Sequence, residues 1–227
     1  MKSAKTKFVR ISYDLTPGMP VYKGNPANRI DPLDSLEKGD ACNTFSITLF
    51  NHNGTHIDAP KHFDCNGQKI CDYRIEDYIF NRPFIVDVPG KEGESISAKD
   101  LHFSGPPDCD ILLIRTGFSR KRHEPTYVDN NPWLSPDAAG FIRRNFRNLR
   151  AIGIDTVSIG SHKYPSAAEE AHRILLHKEG FESAPLIIIE DLNLENLQNP
   201  LNKLFAIPLF VSDVDSMPCT AFVEIDL

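Results

Sequence analysis

No CxxC pair, no cluster of basic residues and no long apolar run occur in this chain of 227 residues. Each absence removes a class of function. The five cysteines, Cys42, Cys65, Cys71, Cys109 and Cys219, are odd in number and unpaired in spacing, so neither a disulfide framework nor a zinc ribbon is expected. The net charge of −6, with no basic patch to offset it, argues against nucleic acid or an anionic membrane as partner. No stretch approaches the ~20 apolar residues of a membrane span, and the N-terminal MKSAKTKFVR is too polar for a secretory signal, so a cytoplasmic protein is expected. Internal repeats, low-complexity tracts and linkers are also missing. With 41% hydrophobic and 25% charged residues, the sequence predicts a single globular domain over residues 1–227.

What is present is concentrated in one stretch, His52 to His62, reading HNGTHIDAPKH. Its candidate ligands His52, His56, Asp58 and His62 are all even-numbered, so an extended chain would turn all of them to one face. A helix would pair His52 with His56 but turn Asp58 away, and Gly54 and Pro60 oppose it. The expectation is a strand end running into a site loop, with Gly54 leaving room for an ion or substrate beside the backbone.

The flanking chain reads as an α/β fold. Val9–Tyr13, Thr44–Phe50, Pro83–Val88, Ile111–Thr116, Ala151–Ile159, Pro185–Ile189, Leu204–Phe210 and Thr220–Ile225 are strand candidates. TPGMPVYKGNP is an ordered loop whose Met19, Val21 and Tyr22 suit a pocket wall. Ser135, Pro136 and Asp137 open a helix to about Leu149, with Arg143, Arg144 and Arg147 on its solvated side. Ser166 and Glu169 form a capping-box pattern opening a second helix, which turns His172 inward with Ala168, Leu175 and Leu176. The apolar run from Pro185 ends in Glu190, a carboxylate leaving a central strand and therefore in need of a cation.

Two imidazoles and a carboxylate on one extended face suit a borderline divalent ion such as zinc, manganese or iron, with positions left open for water. Such an ion activates bound water and polarises a carbonyl, and His62 stands where a proton carrier is needed. HNGTHIDAPKHF resembles the HxGTHxDxPxH signature of the metal-dependent cyclase-like hydrolases, a family that includes bacterial kynurenine formamidases and isatin hydrolases. MPVYKGNP, GIDTVSIG, AHRILL and IIIEDLNL resemble further segments of the same family. The resemblance implies a swivelling β/β/α domain, with a mixed central sheet or barrel-like core and flanking helices, assembled as a homodimer or homotetramer.

By position, the resemblance implies that His52, His56 and Asp58 bind one ion, that Asp58 bridges to a second, and that His172 and Glu190 complete the second site. It makes His62 the proton donor or acceptor and Tyr22 a substrate-stacking residue. The cofactor is then one or two divalent ions, Zn or Mn. The substrate is a small molecule, an N-formyl arylamine or a cyclic aryl amide cleaved at its amide bond. The departures lie on the substrate side or at the second ion: Tyr22 for tryptophan, Lys23 and Asn25 for proline and aspartate, Gly160 for aspartate, and an insertion over 177–185. His162, following the strand, is a further candidate for the pocket, whereas His102, His123 and His177 read as surface residues. Two competing readings use the same residues: a non-haem iron oxygenase with a His56-x-Asp58 and distal-histidine triad, and a non-catalytic metal- or small-molecule-binding module.

Overall fold

The computed structural model describes residues 5–103 and 107–227, so the first four residues of the polar N-terminal segment lie outside it. A nine-stranded mixed sheet dominates, curled into a nearly closed, barrel-like core. Its parallel half comprises β6 (Pro83–Asp87), β8 (Ile111–Arg115), β10 (Ala151–Ile154) and β11 (Ile187–Glu190), adjacent in the order β6-β8-β10-β11. The antiparallel half comprises β1 (Thr6–Arg10), β5 (Ile79–Phe80), β12 (Lys203–Pro208) and the long β13 (Ser216–Asp226). Between the halves lies β4 (His56–Asp58), antiparallel to β11 on one edge and to β13 on the other.

Two smaller ribbons stand apart from this sheet. β2 (Arg29–Asp34) and β3 (Thr44–Thr48) form a hairpin arm, and β7 (Ser95–Ile96) pairs with β9 (Trp133–Leu134). A short α1 (Thr126–Asp129) precedes two longer helices, α2 (Pro136–Asn145) and α3 (Pro165–Leu176). Among the described residues, no helix is long and apolar enough to cross a membrane.

The parallel strands are buried on both faces, which is why they read as continuous apolar runs. Leu112, Ile114, Ile152, Ile154 and Ile188 pack under Ala138, Ala139 and Ile142 of α2 and Leu175 and Leu176 of α3. The alternate residues Ile111, Leu113, Ile187 and Ile189 join Ile57, Phe80, Leu204 and Val223 in a second cluster. The period of two thus separates the core into two layers. Because Ile57 faces the second layer, His56 and Asp58 must face the helix side, where α3 carries His172.

Several sequence expectations change. The extended stretch is only His56–Asp58; the predicted strand from Thr44 stops at Thr48, and its apolar residues lie on the exposed arm. Ala151–Ile159 shortens to Ala151–Ile154, and the helix expected to reach Leu149 ends at Asn145. The last strand begins at Ser216, four residues earlier than Thr220, because its first residues pair with β4. The capping box of Ser166 and Glu169 does not form, since α3 starts at Pro165 and its N-cap is Tyr164.

Arg143 is the clearest correction. Expected in solvent, it is 2% exposed and donates from Nη1 to the carbonyls of Ile174, Leu175 and His177 at 2.7, 2.9 and 2.9 Å. It satisfies the orphan carbonyls at the end of α3 and offsets the negative end of that helix dipole. Burial pushes its guanidinium down to about 10.

Candidate metal and catalytic site

The short β4 delivers His56 and Asp58, each 1% exposed, into the seam between the two halves of the sheet. The other groups arrive on separate elements. Glu190 ends β11 directly opposite His56 in the β4–β11 register, and His172 comes from α3. His52 lies in the turn before β4 and His62 in the 3-10 turn Pro60–His62 after it. Alternation along one extended chain therefore accounts for His56 and Asp58 alone.

Gly54 explains why the alternation fails upstream. Its φ is +71°, in the left-handed region that favours glycine, and a Cβ there would meet Met19 Cε at 2.6 Å and Leu15 Cδ2 at 2.8 Å. The clearance expected for an ion or substrate is instead taken by the Met19 loop. Gly160 has the matching role across the site, because a Cβ would meet Ala168 Cβ at 2.7 Å and crowd His172 Cε1 at 3.3 Å. Glycine there lets α3 approach closely enough to present His172.

Backbone acceptors set the orientation of two of the imidazoles. His56 Nδ1 bonds the Gly54 carbonyl at 2.8 Å and His172 Nδ1 bonds that of Ala168 at 2.7 Å, which turns both Nε2 atoms inward. His56 Nε2 lies 3.4 Å from both Asp58 Oδ1 and Glu190 Oε2, and His172 Nε2 lies 3.6 Å from Glu190 Oε1. His52 Nδ1 reaches Asp58 Oδ1 at 2.9 Å. Glu190 Oε1 accepts from Ser158 Oγ at 2.9 Å and from the Ile159 amide at 2.7 Å, leaving Oε2 toward His56.

Within this cluster, His56 Nε2 and Asp58 Oδ2 are buried without a hydrogen-bond partner, and Asp58 Oδ1 has close to it only His52 Nδ1, at 2.9 Å and outside good hydrogen-bond geometry. Buried polar atoms are seldom left so, and a buried carboxylate without donors is costly. His56 Nε2 and Asp58 Oδ1 lie 3.4 Å apart, close enough for one divalent ion to engage both. His52, His56 and Asp58 form one group of potential ligand atoms lying within 4.8 Å of one another, and Asp58, His172 and Glu190 form a second that shares Asp58. The donor set, imidazole plus carboxylate with Nδ1–H of two rings held by carbonyls, fits a borderline divalent cation.

The charges shift accordingly. Burial lowers the His52 imidazole, but Asp58 and Asp215 outweigh it and raise it to about 10. His56 and His172 are likewise raised by Asp58 and Glu190 respectively, against burial. Burial would raise Asp58, yet the His56 and His52 rings hold it well below the usual carboxylate range.

A cavity of about 520 Å³ opens over this cluster, lined by Tyr22, Phe50, Phe63, Pro165 and Ala168 beside Asp58, His62, His172 and Glu190. Tyr22 forms part of its wall, and burial together with the Glu190 charge raises its phenol to about 12. His162 sits one layer behind, its ring edge-on to Tyr22 with centroids 6.3 Å apart and its buried Nδ1 unpartnered. The structure also brings in residues that the sequence reading passed over. Asp215, just before β13, bonds His62 Nδ1 at 2.8 Å and lies 3.1 Å from His52 Nε2, and Asn51 and Ser158 hold the carboxylates from behind. In the sequence, Asp215 sits beside Asp213 in SDVDSM, with no spacing to mark one above the other.

Residues 9–161 match the cyclase family model, described as "Putative cyclase". The chain is 31% identical over 219 residues to a kynurenine formamidase of Bacillus thuringiensis subsp. konkukian and 30% identical to one of Bacillus anthracis, in each case covering 96% of this chain and 98% of the relative. Its fold superposes on isatin hydrolase A from Labrenzia aggregata with a TM-score of 0.83 at 20% identity, over 98% of this chain and 94% of that one. By the family model and by these relatives, the chain belongs to the cyclase family.

Proposed function

We propose that this protein is a metal-dependent hydrolase of a non-peptide amide bond, acting on an N-formyl arylamine such as formylkynurenine or on a cyclic aryl amide such as isatin. The observation that carries it is the buried, incompletely partnered set of His56 Nε2 and the Asp58 carboxylate, with His62 beside it in an aromatic-walled cavity. The names of the relatives, kynurenine formamidase and isatin hydrolase, support the reaction class. His52, His56 and Asp58 hold one zinc or manganese ion, and Asp58 is shared with a second position formed by His172 and Glu190. The ion supplies an activated water and polarises the carbonyl oxygen when bound.

The remaining steps belong to side chains. Tyr22, Phe50 and Phe63 orient the aryl group against the apolar wall and exclude water from it. His62, with Nδ1 bonded to Asp215, uses Nε2 to accept a proton and to deliver it to the departing nitrogen. The oxygenase reading assigns no part to His52, yet His52 Nδ1 lies 2.9 Å from Asp58 Oδ1, inside the cluster. A purely structural site would close its coordination with protein ligands, whereas this one opens to a cavity. The chain works in the cytoplasm as a homodimer or homotetramer on a small-molecule substrate, without nucleic acid or membrane. The exposed apolar face of the hairpin arm supports assembly.

The test is His62→Ala in metal-analysed protein, assayed on a panel of formanilides, isatin and lactones. Loss of a general acid–base group lowers kcat by about 10²–10⁴-fold. Full turnover of formanilides by the variant, with metal still bound, would overturn the mechanism.

A further inference from the structure

We propose that Asp215 is a positioning residue that fixes the tautomers of His62 and His52 together, through a single carboxylate oxygen. The inference rests on the reading of His52 as a ligand and His62 as the proton carrier. Asp215 Oδ2 lies 2.8 Å from His62 Nδ1 and 3.1 Å from His52 Nε2. A carboxylate oxygen only accepts, so each of these nitrogens carries its hydrogen toward it. That leaves Nε2 as the His62 nitrogen available to exchange a proton, on a side chain that lines the cavity. His52 is left with Nδ1 as its basic atom, and Nδ1 is the atom that lies 2.9 Å from Asp58 Oδ1 at the candidate metal position.

The carboxylate is itself held. Asn51 Nδ2 donates to Oδ1 at 2.9 Å, so the second oxygen is engaged while Oδ2 serves the two rings. The backbone adds a frame: the Ala59 amide bonds the Asp215 carbonyl at 2.8 Å, and the His62 amide bonds the Ala59 carbonyl at 2.9 Å. Ser216 Oγ donates to the Asn51 carbonyl at 3.1 Å. The turn bearing His52, the turn bearing His62 and the start of β13 are thus tied around one side chain. The two rings sit with centroids 4.2 Å apart, so neither can rotate without meeting the other. Ligand geometry and proton delivery therefore share one acceptor, which a simple loop pin would not require.

Nitrogen-15 NMR of histidine-labelled, zinc-loaded protein in mildly alkaline buffer reads the tautomers directly. The expected wild-type result is Nδ1–H for His62 and Nε2–H, with metallated Nδ1, for His52. Any other state of either ring overturns the proposal without recourse to a variant. In Asp215→Asn, one acceptor position becomes an NH2 donor, so the side chain cannot accept from Asn51 Nδ2 on one side and from both rings on the other. At least one ring should lose its fixed tautomer, and zinc affinity should fall about 10–100-fold, as for other outer-sphere partners of metal ligands. Asp215→Asn with both tautomers and zinc affinity unchanged would refute the assignment. These readouts do not use turnover, so His62→Ala that stays active would sink the hydrolytic reading while leaving the tautomer result standing.

Discussion

Beside the site lies a buried ion pair whose removal has a calculable effect. Arg122 and Asp191 are 6% and 2% exposed, and the guanidinium donates to Asp191 Oδ1 at 2.9 Å and to Oδ2 at 2.6 Å. Arg122 also stacks on the Tyr13 ring, its Cζ 3.8 Å from the ring centroid. Tyr127 supplies a further hydroxyl to Oδ1 at 2.6 Å. Arg122→Met keeps most of the side-chain volume but leaves Oδ2 of a buried carboxylate without its guanidinium donor. Breaking a buried pair by removing one partner costs about 3–5 kcal/mol, which for a chain of this length lowers Tm by roughly 6–20 °C. Urea denaturation of zinc-loaded protein, followed by Trp133 fluorescence, measures it. Asp191→Asn removes the charge and turns one acceptor oxygen into a donor, without backbone strain, because asparagine tolerates the φ of 53° found there. The double variant removes the isolated charge and should lose less stability than Arg122→Met.

The pH dependence has a definite sign. Burial raises the Asp191 carboxyl above its ordinary range, and Arg122 works against that rise. A raised carboxyl contributes stability at low pH that is lost as pH climbs through the folded value, so removing Arg122 deepens the loss at neutral pH. The penalty of Arg122→Met should be larger at pH 7 than at pH 5. A loss below about 1 kcal/mol at pH 7, or strict additivity in the double variant, would refute the view that an unpaired buried charge sets the cost.

Two further outcomes follow from the geometry. Loading zinc into metal-free protein at pH 7 should release protons, because His52 is raised to about 10 and His56 and His172 are also raised, and ligating imidazoles must give up their protons. Calorimetry in buffers of different ionisation enthalpy counts them, and affinity should fall as pH falls; zero release would mean that the rings are already neutral. On the hairpin arm, Ile30 faces Ile47 and Pro32 faces Phe45, leaving Phe45 55% and Ile47 61% exposed. Phe45→Lys with Ile47→Lys should shift sedimentation toward the monomer, and an unchanged profile would show that assembly does not use this face.

The sequence made much of this legible where one physical period governed. Apolar runs bounded by Gly and Pro marked the parallel strands, since both faces of those strands are buried, and the inward face of α3 identified His172. Ser135 read correctly as an N-cap because its Oγ accepts from the Ala138 amide at 3.4 Å. The reading failed where tertiary partners decide. Arg143 fits a solvated helix face by periodicity, but the end of α3 recruits it. Phe45 and Ile47 alternate like core residues, yet they belong to an arm outside the main sheet. Asp215 was invisible because its partners, Asn51, His52 and His62, lie more than 150 residues away, at separations of 164, 163 and 153.

The position of β4 is itself an argument for the site. A strand of three residues occupies the middle of the sheet, paired on both edges, although two of its side chains are His56 and Asp58. Only Ile57 joins the apolar core, and burying such a side chain contributes about 1.5–3 kcal/mol. Burying the Asp58 carboxylate costs several kcal/mol, more than Ile57 returns, unless cations face it, and without a metal the His52 and His56 rings meet that need only by holding their protons. Local chemistry thus opposes the strand that topology places there, and such conflicts mark functional positions. A divalent cation in the site would take over from those imidazole protons and would supply the partner that His56 Nε2 lacks. The seam of the sheet would then gain stability with the logarithm of free metal concentration, so stripping the ion should loosen β4 and its contacts with β11 and β13 before the helix-covered layer.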